Sequence, residues 1–573
     1  MQAIILDAGM GKRLGELTRD NTKCMLKVHG KTLIERTLDI LCLHQMERII
    51  LVVGYEGENV KALVGNSYKG MPVFYVENPV YFKTNNIYSL YLARKYMQEK
   101  DTLLLESDLI FEPEVITELI QNPYPNLAVV DKYQSWMDGT VVSLDKDDNI
   151  LNFIPKKHFN HKDIDIYFKT VNIYKFSIEF YKNDYITFLE AYSSALGNNE
   201  YYEQVLRVLL LLDKQNLKAL RLNNQKCYEI DDVQDLSNAE TIFSPESEKL
   251  KHFQHRYGGY WRFPKMKDFC YLVNPYFPPA RLINEMKCYF ETLLSQYPSG
   301  LNIQNLLAGK MFSCDSSQIL TGNGATELIN ALSICLKGKI GIVFPTFNEY
   351  PEKFGYHRVE KFIPNNPDFV YTIEDLKELS KKCDHLLLIN PDNPSGNYIA
   401  FEKILELAKF LNSKKKTLIL DESFHDFSFD IQNNTCLRKD ILSNNPNLIV
   451  VKSISKSYGV PGLRLGVLAS SNLELLNEVR KNLSIWNINS FGEFFLQIID
   501  KYEKEYSTAC IKIAEERNRF FNRLKQISFL RTIPSESNFF LCEVISEYSA
   551  TQLTDLLLRS EEHTSELQSR QVI

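Results

Sequence analysis

The sequence predicts an α/β protein built of two separate units, on three observations. Its 573 residues exceed what one hydrophobic core encloses. From the N-terminus, short β-rich runs alternate with amphipathic stretches, the pattern of a sheet flanked by helices. After the polar stretch Ser244–His255 that alternation starts afresh. No repeat relates the halves, so the chain reads as a fusion.

Each element follows from a local pattern. In the first half Ala3–Leu6, Arg48–Val53, Val73–Val76 and Thr102–Leu105 are apolar, β-rich runs, while Thr32–Leu43 and Ile87–Met97 carry helical periodicity. The polar break reads as a linker over 246–257, giving units 1–245 and 258–558. Beyond it lie a helix over Ile283–Ser295 and strands at Ile340–Phe344, His385–Ile389, Thr417–Leu420 and Leu448–Val451. Ligands of such sheets bind beyond the carboxyl ends of the strands, so the loops there should carry the chemistry.

Hydrophobic residues at 44% and charged residues at 24% are ordinary for a soluble globular enzyme. A net charge of −6 without a long basic run speaks against a nucleic-acid partner. The longest apolar runs, such as Val205–Leu212, are too short to span a bilayer, and the N-terminus lacks the features of a signal peptide. Eleven scattered cysteines without a C-x-x-C pair suit a reducing compartment. The expectation is a cytoplasmic enzyme with no membrane partner.

The first strand runs into Asp7-Ala8-Gly9-Met10-Gly11-Lys12-Arg13-Leu14. Glycines let backbone N–H groups approach an anion closely, although such a loop alone is equally a tight turn. Arg13 lies in the loop and Lys23 follows it. Two cations there suit a nucleoside triphosphate, whose charge builds on the α-phosphoryl group and the leaving pyrophosphate. Asp108 closes the apolar run Leu103–Leu105, and Glu229 and Asp231 come much later. Each carboxylate alone reads as a surface charge or helix cap; together they are expected to bind magnesium.

The runs AIILDAGMGKRL and TKCMLKVHGKTLIE resemble the signature of sugar-phosphate and choline-phosphate nucleotidyltransferases. The resemblance implies a Rossmann-like (GT-A-like) domain, with Ala8, Gly9, Gly11, Lys12, Arg13 and Lys23 at the nucleotide and Arg13 and Lys23 as catalytic cations. Asp7 stands where the family usually has alanine, a departure the sequence does not explain. Thr22 replaces the proline of sugar-phosphate members, which is typical of cytidylyltransferases with phosphocholine-like acceptors and implies CTP. Thr84–Leu90, Met137–Thr140 and Lys169–Tyr174 are similar to acceptor segments of that branch, implying that Asn86, Tyr88, Asp138 and Lys169 bind the acceptor. Lys169 is expected at its anionic group, with Asp138, Tyr88 and Trp136 around an ammonium. Any one of these rings taken alone reads more readily as core packing.

In the second half Ser453-Ile-Ser455-Lys456, continuing to Arg464-Leu-Gly, is the strongest motif of the chain. It resembles the cofactor-lysine segment of fold-type I aminotransferases near histidinol-phosphate aminotransferase, implying an α/β/α domain that binds pyridoxal phosphate (PLP). By that resemblance Lys456 carries the cofactor and moves a proton between Cα and C4′. Ser453, Ser455 and Arg464 bind the phosphate, and Gly324, Ala325 and Thr326 add a cradle at a helix start. Phe347 stacks on the ring, Asn393 meets its hydroxyl and Asp421 pairs with the pyridine nitrogen. Phe424 stands where the family usually has tyrosine, as in phosphothreonine-decarboxylase relatives. A homodimer through this domain is implied in the same way.

Arg559–Ser569, RSEEHTSELQS, resembles the translation of a sequencing adapter, so 559–573 is expected to be a non-native tail that truncates the aminotransferase domain. The family's substrate-carboxylate arginine lies beyond Pro534–Phe540, where this tail intervenes. Little transaminase activity and an exposed apolar edge near Leu553–Leu558 are therefore expected.

A fused pair suggests successive use of one metabolite. Apart from its tail the chain resembles bifunctional phosphonate cytidylyltransferase–aminotransferases. That implies amination of phosphonoacetaldehyde by an amino-acid donor, then CTP-dependent conversion of 2-aminoethylphosphonate to CMP-2-aminoethylphosphonate and pyrophosphate. The alternative is a phosphocholine or phosphoethanolamine cytidylyltransferase fused to a PLP threonine-phosphate decarboxylase or a histidinol-phosphate-like aminotransferase.

Overall fold

The computed structural model describes residues 1–573 apart from 213–216, 257, 264–265, 270–271, 429–433, 562 and 565–573. The chain divides into two compact units, Met1–Arg262 and Phe263–Ile573.

The first unit is built on β1 (Gln2–Asp7), buried at every position, as a central parallel strand covered on both faces must be. It pairs in parallel with β2 (Ile49–Val53) and β4 (Thr102–Glu106), and β3 (Met71–Glu77) adds outside β2. Alternation sends Ile4 and Leu6 to one core and Ala3 and Ile5 to the other. α1 (Leu33–Leu43) covers the second face and starts at a capping box, in which Thr32 and Glu35 satisfy each other's backbone N–H. α2 (Asn86–Met97) covers the first.

The remaining sheet is largely antiparallel, and the sequence reading did not foresee it. β6 (Leu127–Lys132), β7 (Val141–Leu144), β8 (Ile150–Ile154), the long β9 (Tyr167–Phe176) and β10 (Lys218–Arg221) extend the sheet beyond β4. β9 joins β4 with Ile173 opposite Leu105, and its pairing with β6 slips register between Thr170 and Tyr174, where Asn172 has φ 58°. Separately, β11 (Cys227–Glu229) pairs antiparallel with β5 (Leu109–Phe111), setting Glu229 opposite Leu109. That short ribbon carries Glu229 and Asp231 back to Asp108 across the chain. The apolar run Val205–Leu212 becomes most of α3 (Glu203–Leu211), which buries Val205, Leu206 and Leu209.

The expected linker is instead structured. After α4 (Val233–Ile242), residues 246–256 form α5 (Glu246–Arg256), with Leu250 and Phe253 buried on one side. Two apolar residues three apart suffice to dock an otherwise polar helix, and α5 belongs to the first unit, which runs on to Arg262. The linker's last residue, 257, lies outside the described residues.

The second unit is a seven-stranded sheet in the order β12 (Ile319–Asn323), β18 (Leu465–Ser470), β17 (Leu448–Ser453), β16 (Thr417–Asp421), β15 (His385–Ile389), β13 (Ile340–Val343), β14 (Val359–Phe362). All pairs are parallel except those made by β18. Leu386, Leu388, Leu418 and Leu420 point into one core, Leu387, Ile389 and Ile419 into the other. The helix expected over 283–295 is two, α6 (Ala280–Cys288) and α7 (Phe290–Ser295), broken at Tyr289. Of the expected apolar edge, Leu556 and Leu557 are exposed and Leu558 is buried. The side chains of the expected tail, 559–573, lie outside those described.

Candidate active sites

In the first unit, β1, β4 and the β5–β11 ribbon bring their loops to one cavity of about 380 Å³. Lys23 stands at its centre, with Nζ 2.8 Å from Asp108 Oδ2 and 2.6 Å from Asp231 Oδ1. Burial works against this ammonium, yet the two carboxylates hold its pKa well above the ordinary lysine value. Arg13 reaches Asp231 at 2.9 Å and Asp138 at 3.7 Å. Glycine is required at position 11, where a Cβ would come within 2.8 Å of Lys23 Cγ and φ is +58°. Lys12 is exposed and is not among the lining residues, whereas Ala8 and Gly9 are.

Asp108, Glu229 and Asp231 place carboxylate oxygens within 4.8 Å of one another. Asp108 Oδ1 is buried without a hydrogen-bond partner, a cost that a bound cation would relieve. Glu229 accepts from Asn172 Nδ2 at 3.1 Å and pairs with Lys169 Nζ at 3.2 Å. Burial pushes its pKa up to about 7 against the pull of Lys169. These oxygens suit magnesium, a hard cation that prefers carboxylates.

Asp7, unexplained by the sequence, now has a role in the geometry. At the end of β1 it is 1% exposed and accepts hydrogen bonds from Thr22 Oγ1 (3.0 Å), Ser107 Oγ (2.7 Å) and Cys24 Sγ (3.1 Å). It thereby ties down both neighbours of Lys23 and the residue before Asp108. Burial raises its pKa to about 6, and the three donors oppose that rise.

The expected acceptor residues are only partly brought together. Lys169 is buried against Glu229 and lines the cavity, as do Asn86 and Asp138. Asp138 is held by Lys156 at 2.9 Å as well as by Arg13, which makes it a poor anion for an ammonium. Tyr88 stacks on Tyr91 with ring centroids 5.9 Å apart and is not among the lining residues. Trp136 lines a second cavity, of about 420 Å³, facing Trp261. Glu106, Glu203 and Tyr201 line the first cavity although the sequence reading passed over them. Glu106 directly follows the apolar run Leu103–Leu105; Glu203 comes from α3, with no local signal.

In the second unit Asp421, Ser453, Ser455 and Lys456 lie at or just beyond the carboxyl ends of β16 and β17. Asp421 ends β16, and Tyr350 donates to its Oδ2 at 2.7 Å while the Ser423 N–H donates to Oδ1 at 2.8 Å. Burial raises its pKa. Ser453 ends β17, and α9 (Ile454–Ser457) carries Ser455, whose Oγ is buried without a partner, and half-buried Lys456. Gly324, Ala325 and Thr326 open α8 (Gly324–Cys335). Gly324 N–H donates to Arg464 O at 2.8 Å, and a Cβ on Gly324 would lie 2.7 Å from Arg464 Nη2. Asn393 is buried in the loop after β15, and Phe347 packs beside the core containing Tyr350. Phe424 is buried against Phe427 and Phe539.

The fold is that of an α/β nucleotidyltransferase followed by a fold-type I aminotransferase-like unit, and family models agree. The MobA-like NTP transferase domain matches residues 3–157, and aminotransferase class I and II matches 296–564. The chain is 30% identical over 565 residues to CMP-5'-(3-aminopropyl)phosphonate synthase of Streptomyces rubellomurinus, covering 98% of this chain and 88% of that one. It belongs to that family, and is a nucleotidyltransferase and PLP-dependent aminotransferase-family enzyme. It is also 30% identical over 332 residues to the L-serine phosphate decarboxylase of Sulfurospirillum multivorans (55% of this chain, 82% of that one). Among solved structures, the CTP:phosphocholine cytidylyltransferase of Streptococcus pneumoniae matches at TM-score 0.35 and 21% identity, covering 42% of this chain and 99% of that one. Among the described residues no helix is long and apolar enough to cross a membrane.

The unpartnered Ser455 hydroxyl and the buried Asp421 carboxyl are groups that a phosphate and a protonated pyridine nitrogen would complete, so the residues present fit PLP.

Proposed function

We propose that the first unit joins the CMP moiety of CTP to the phosphonate oxygen of 2-aminoethylphosphonate, and that the second unit makes that amine from phosphonoacetaldehyde. The observation that carries the reading is the convergence of Lys23 and Arg13 on Asp108 and Asp231, with Glu229 beside them. The likeness to CMP-5'-(3-aminopropyl)phosphonate synthase, whose name carries one more methylene than the acceptor proposed here, supports the choice of nucleotide and acceptor class. In the reaction an acceptor oxygen forms the new bond to the α-phosphorus. The bond to the bridging oxygen breaks, and the electron pair leaves with pyrophosphate. Lys23 and Arg13 exchange their carboxylate partners for the phosphates and neutralise the charge that builds there. Asp108, Glu229 and Asp231 would hold magnesium, which supplies further charge neutralisation at the phosphates.

In the second unit PLP supplies an electron sink for bond cleavage at the substrate's Cα. Lys456 holds and releases the proton at that carbon. Asp421 keeps the ring nitrogen protonated, while Ser453, Ser455, Arg464 and the start of α8 bind the phosphate.

A second reading of this unit has its own support: Phe424 in place of tyrosine, together with the likeness to L-serine phosphate decarboxylase. Loss of CO2 from an amino acid bearing a phosphorus oxyanion also yields a primary amine, with no amino donor. The deciding experiment measures magnesium-dependent pyrophosphate release from CTP with 2-aminoethylphosphonate against phosphocholine. CO2 release from phosphorylated amino acids is measured alongside. Preference for phosphocholine would sink the phosphonate reading. CO2 release without amino transfer would replace transamination by decarboxylation.

A further inference from the structure

The expected ammonium pocket fails on geometry, since Asp138 is already paired and Tyr88 points elsewhere. The same cavity holds two other carboxylates that form no ion pair among the described residues, its lysine Lys169 being paired with Glu229. Glu203 begins α3 and is 4% exposed, and its Oε2 has no hydrogen-bond partner. Burial raises its pKa; its own backbone N–H and Lys169 oppose the rise, and the Tyr174 hydroxyl lies close without making a hydrogen bond. Glu106 ends β4, half-buried, and accepts from Asn86 Nδ2 at 3.0 Å. Asn86 links the two, because its Oδ1 accepts from the Tyr202 N–H, just before Glu203, at 3.0 Å. Tyr81 and Tyr201 line the cavity with them.

We propose that Glu106 and Glu203 form the subsite for a primary ammonium on the acceptor, flanked by Tyr81 and Tyr201. This rests on the cytidylyltransferase reading and narrows its substrate to primary amines. A buried carboxylate oxygen without a donor is costly. An R–NH3⁺ group brings three N–H donors and a compensating charge, whereas a trimethylammonium brings charge alone and suits an aromatic cage. Glu106 and Glu203 line one cavity, so a single entering ammonium can donate to both. Asn86, expected from the sequence to touch the acceptor, lines the cavity and also positions Glu106 and the start of α3.

The test uses the full chain with CTP and magnesium and compares kcat/KM for three acceptors: 2-aminoethylphosphonate, its N-trimethyl form, and ethylphosphonate. Wild type is expected to favour the primary amine over both others by about 100-fold, because a site left with unpaired polar groups rejects analogues strongly. Glu203→Gln and, separately, Glu106→Gln should each cut that preference about ten-fold, the scale of one lost charge-assisted hydrogen bond. Because the preference is a ratio within one preparation, partial misfolding does not imitate the effect. Equal use of all three acceptors by wild type, or an undiminished preference in both variants, overturns the subsite alone. Transfer to none of the three overturns the cytidylyltransferase reading and the subsite with it.

Discussion

The two candidate sites handle phosphate groups by different physical means. In the first unit Lys23, Arg13, Lys156 and Lys169 are each paired with a carboxylate. An incoming triphosphate must therefore exchange one set of ion pairs for another. In the second unit the proposed phosphate cradle consists of a helix start, two serines and Arg464, with Ser455 Oγ unsatisfied. A small dianion of fixed size can be met by pre-aimed N–H and O–H groups. A triphosphate that splits during turnover needs cations that can follow the moving charge. The difference predicts that the first site depends steeply on individual charges and the second more on backbone placement.

The largest effect should come from Lys23→Ala. It removes the cation that Asp108 and Asp231 share and should lower kcat for pyrophosphate release by about 10²–10³-fold, the scale of one lost transition-state donor. Lys23→Arg should not restore it fully, since a planar fork cannot replace a point charge held between two carboxylates. A loss below ten-fold would mean that the network is structural and that the charge sensitivity drawn above is wrong. In the second unit Ser455→Ala, which removes one neutral donor, should weaken PLP binding by about ten-fold, read from cofactor absorbance on dilution.

Legibility differed between the sites for a related reason. The second site's residues sit in contiguous runs at strand ends, and one motif, Ser453 to Arg464, carries four of them. The parallel strands with continuous apolar runs, such as Ala3–Leu6 and His385–Ile389, were equally plain. In the first unit the motif residues Arg13, Lys23 and Asp108 were legible, and Glu229 and Asp231 could be guessed from their order. Glu203 could not. It arrives on a helix whose sequence reads as an ordinary apolar run, and tertiary packing alone turns its carboxylate inward. The antiparallel half of the sheet escaped because β9 slips register at Asn172 and breaks its own alternation. α5 escaped because two apolar residues in a polar stretch leave little periodic signal.

Asp7 gives a middle-sized test that bears on stability as well as on catalysis. Its folded pKa, about 6, lies above the ordinary carboxylate value. Its contribution is therefore fully present below about pH 4, is lost as pH rises through 6, and amounts to about 2–3 kcal/mol over that window. Urea unfolding of wild type and Asp7→Ala should thus show a stability gap that is larger at pH 4.5 than at pH 7.5. At neutral pH the variant leaves Thr22, Ser107 and Cys24 without their acceptor, and kcat should fall about ten-fold as Lys23 and Asp108 lose their anchor. A gap that widens with rising pH would reverse the sign and show Asp7 stabilised as the anion.

The smallest effect is expected at Phe424, where the second site is closest to neutral. Phe424→Tyr adds one hydroxyl at a ring packed against Phe427 and Phe539. If that hydroxyl reaches the cofactor oxygen, PLP should bind up to about ten-fold more tightly, the worth of one hydrogen bond at about 0.5–1.5 kcal/mol. Transamination should then gain relative to any CO2 release. Weaker PLP binding would mean that the hydroxyl is buried unpaired in the phenylalanine cluster. Position 424 would then serve packing alone, and the decarboxylase reading would lose the residue that favours it.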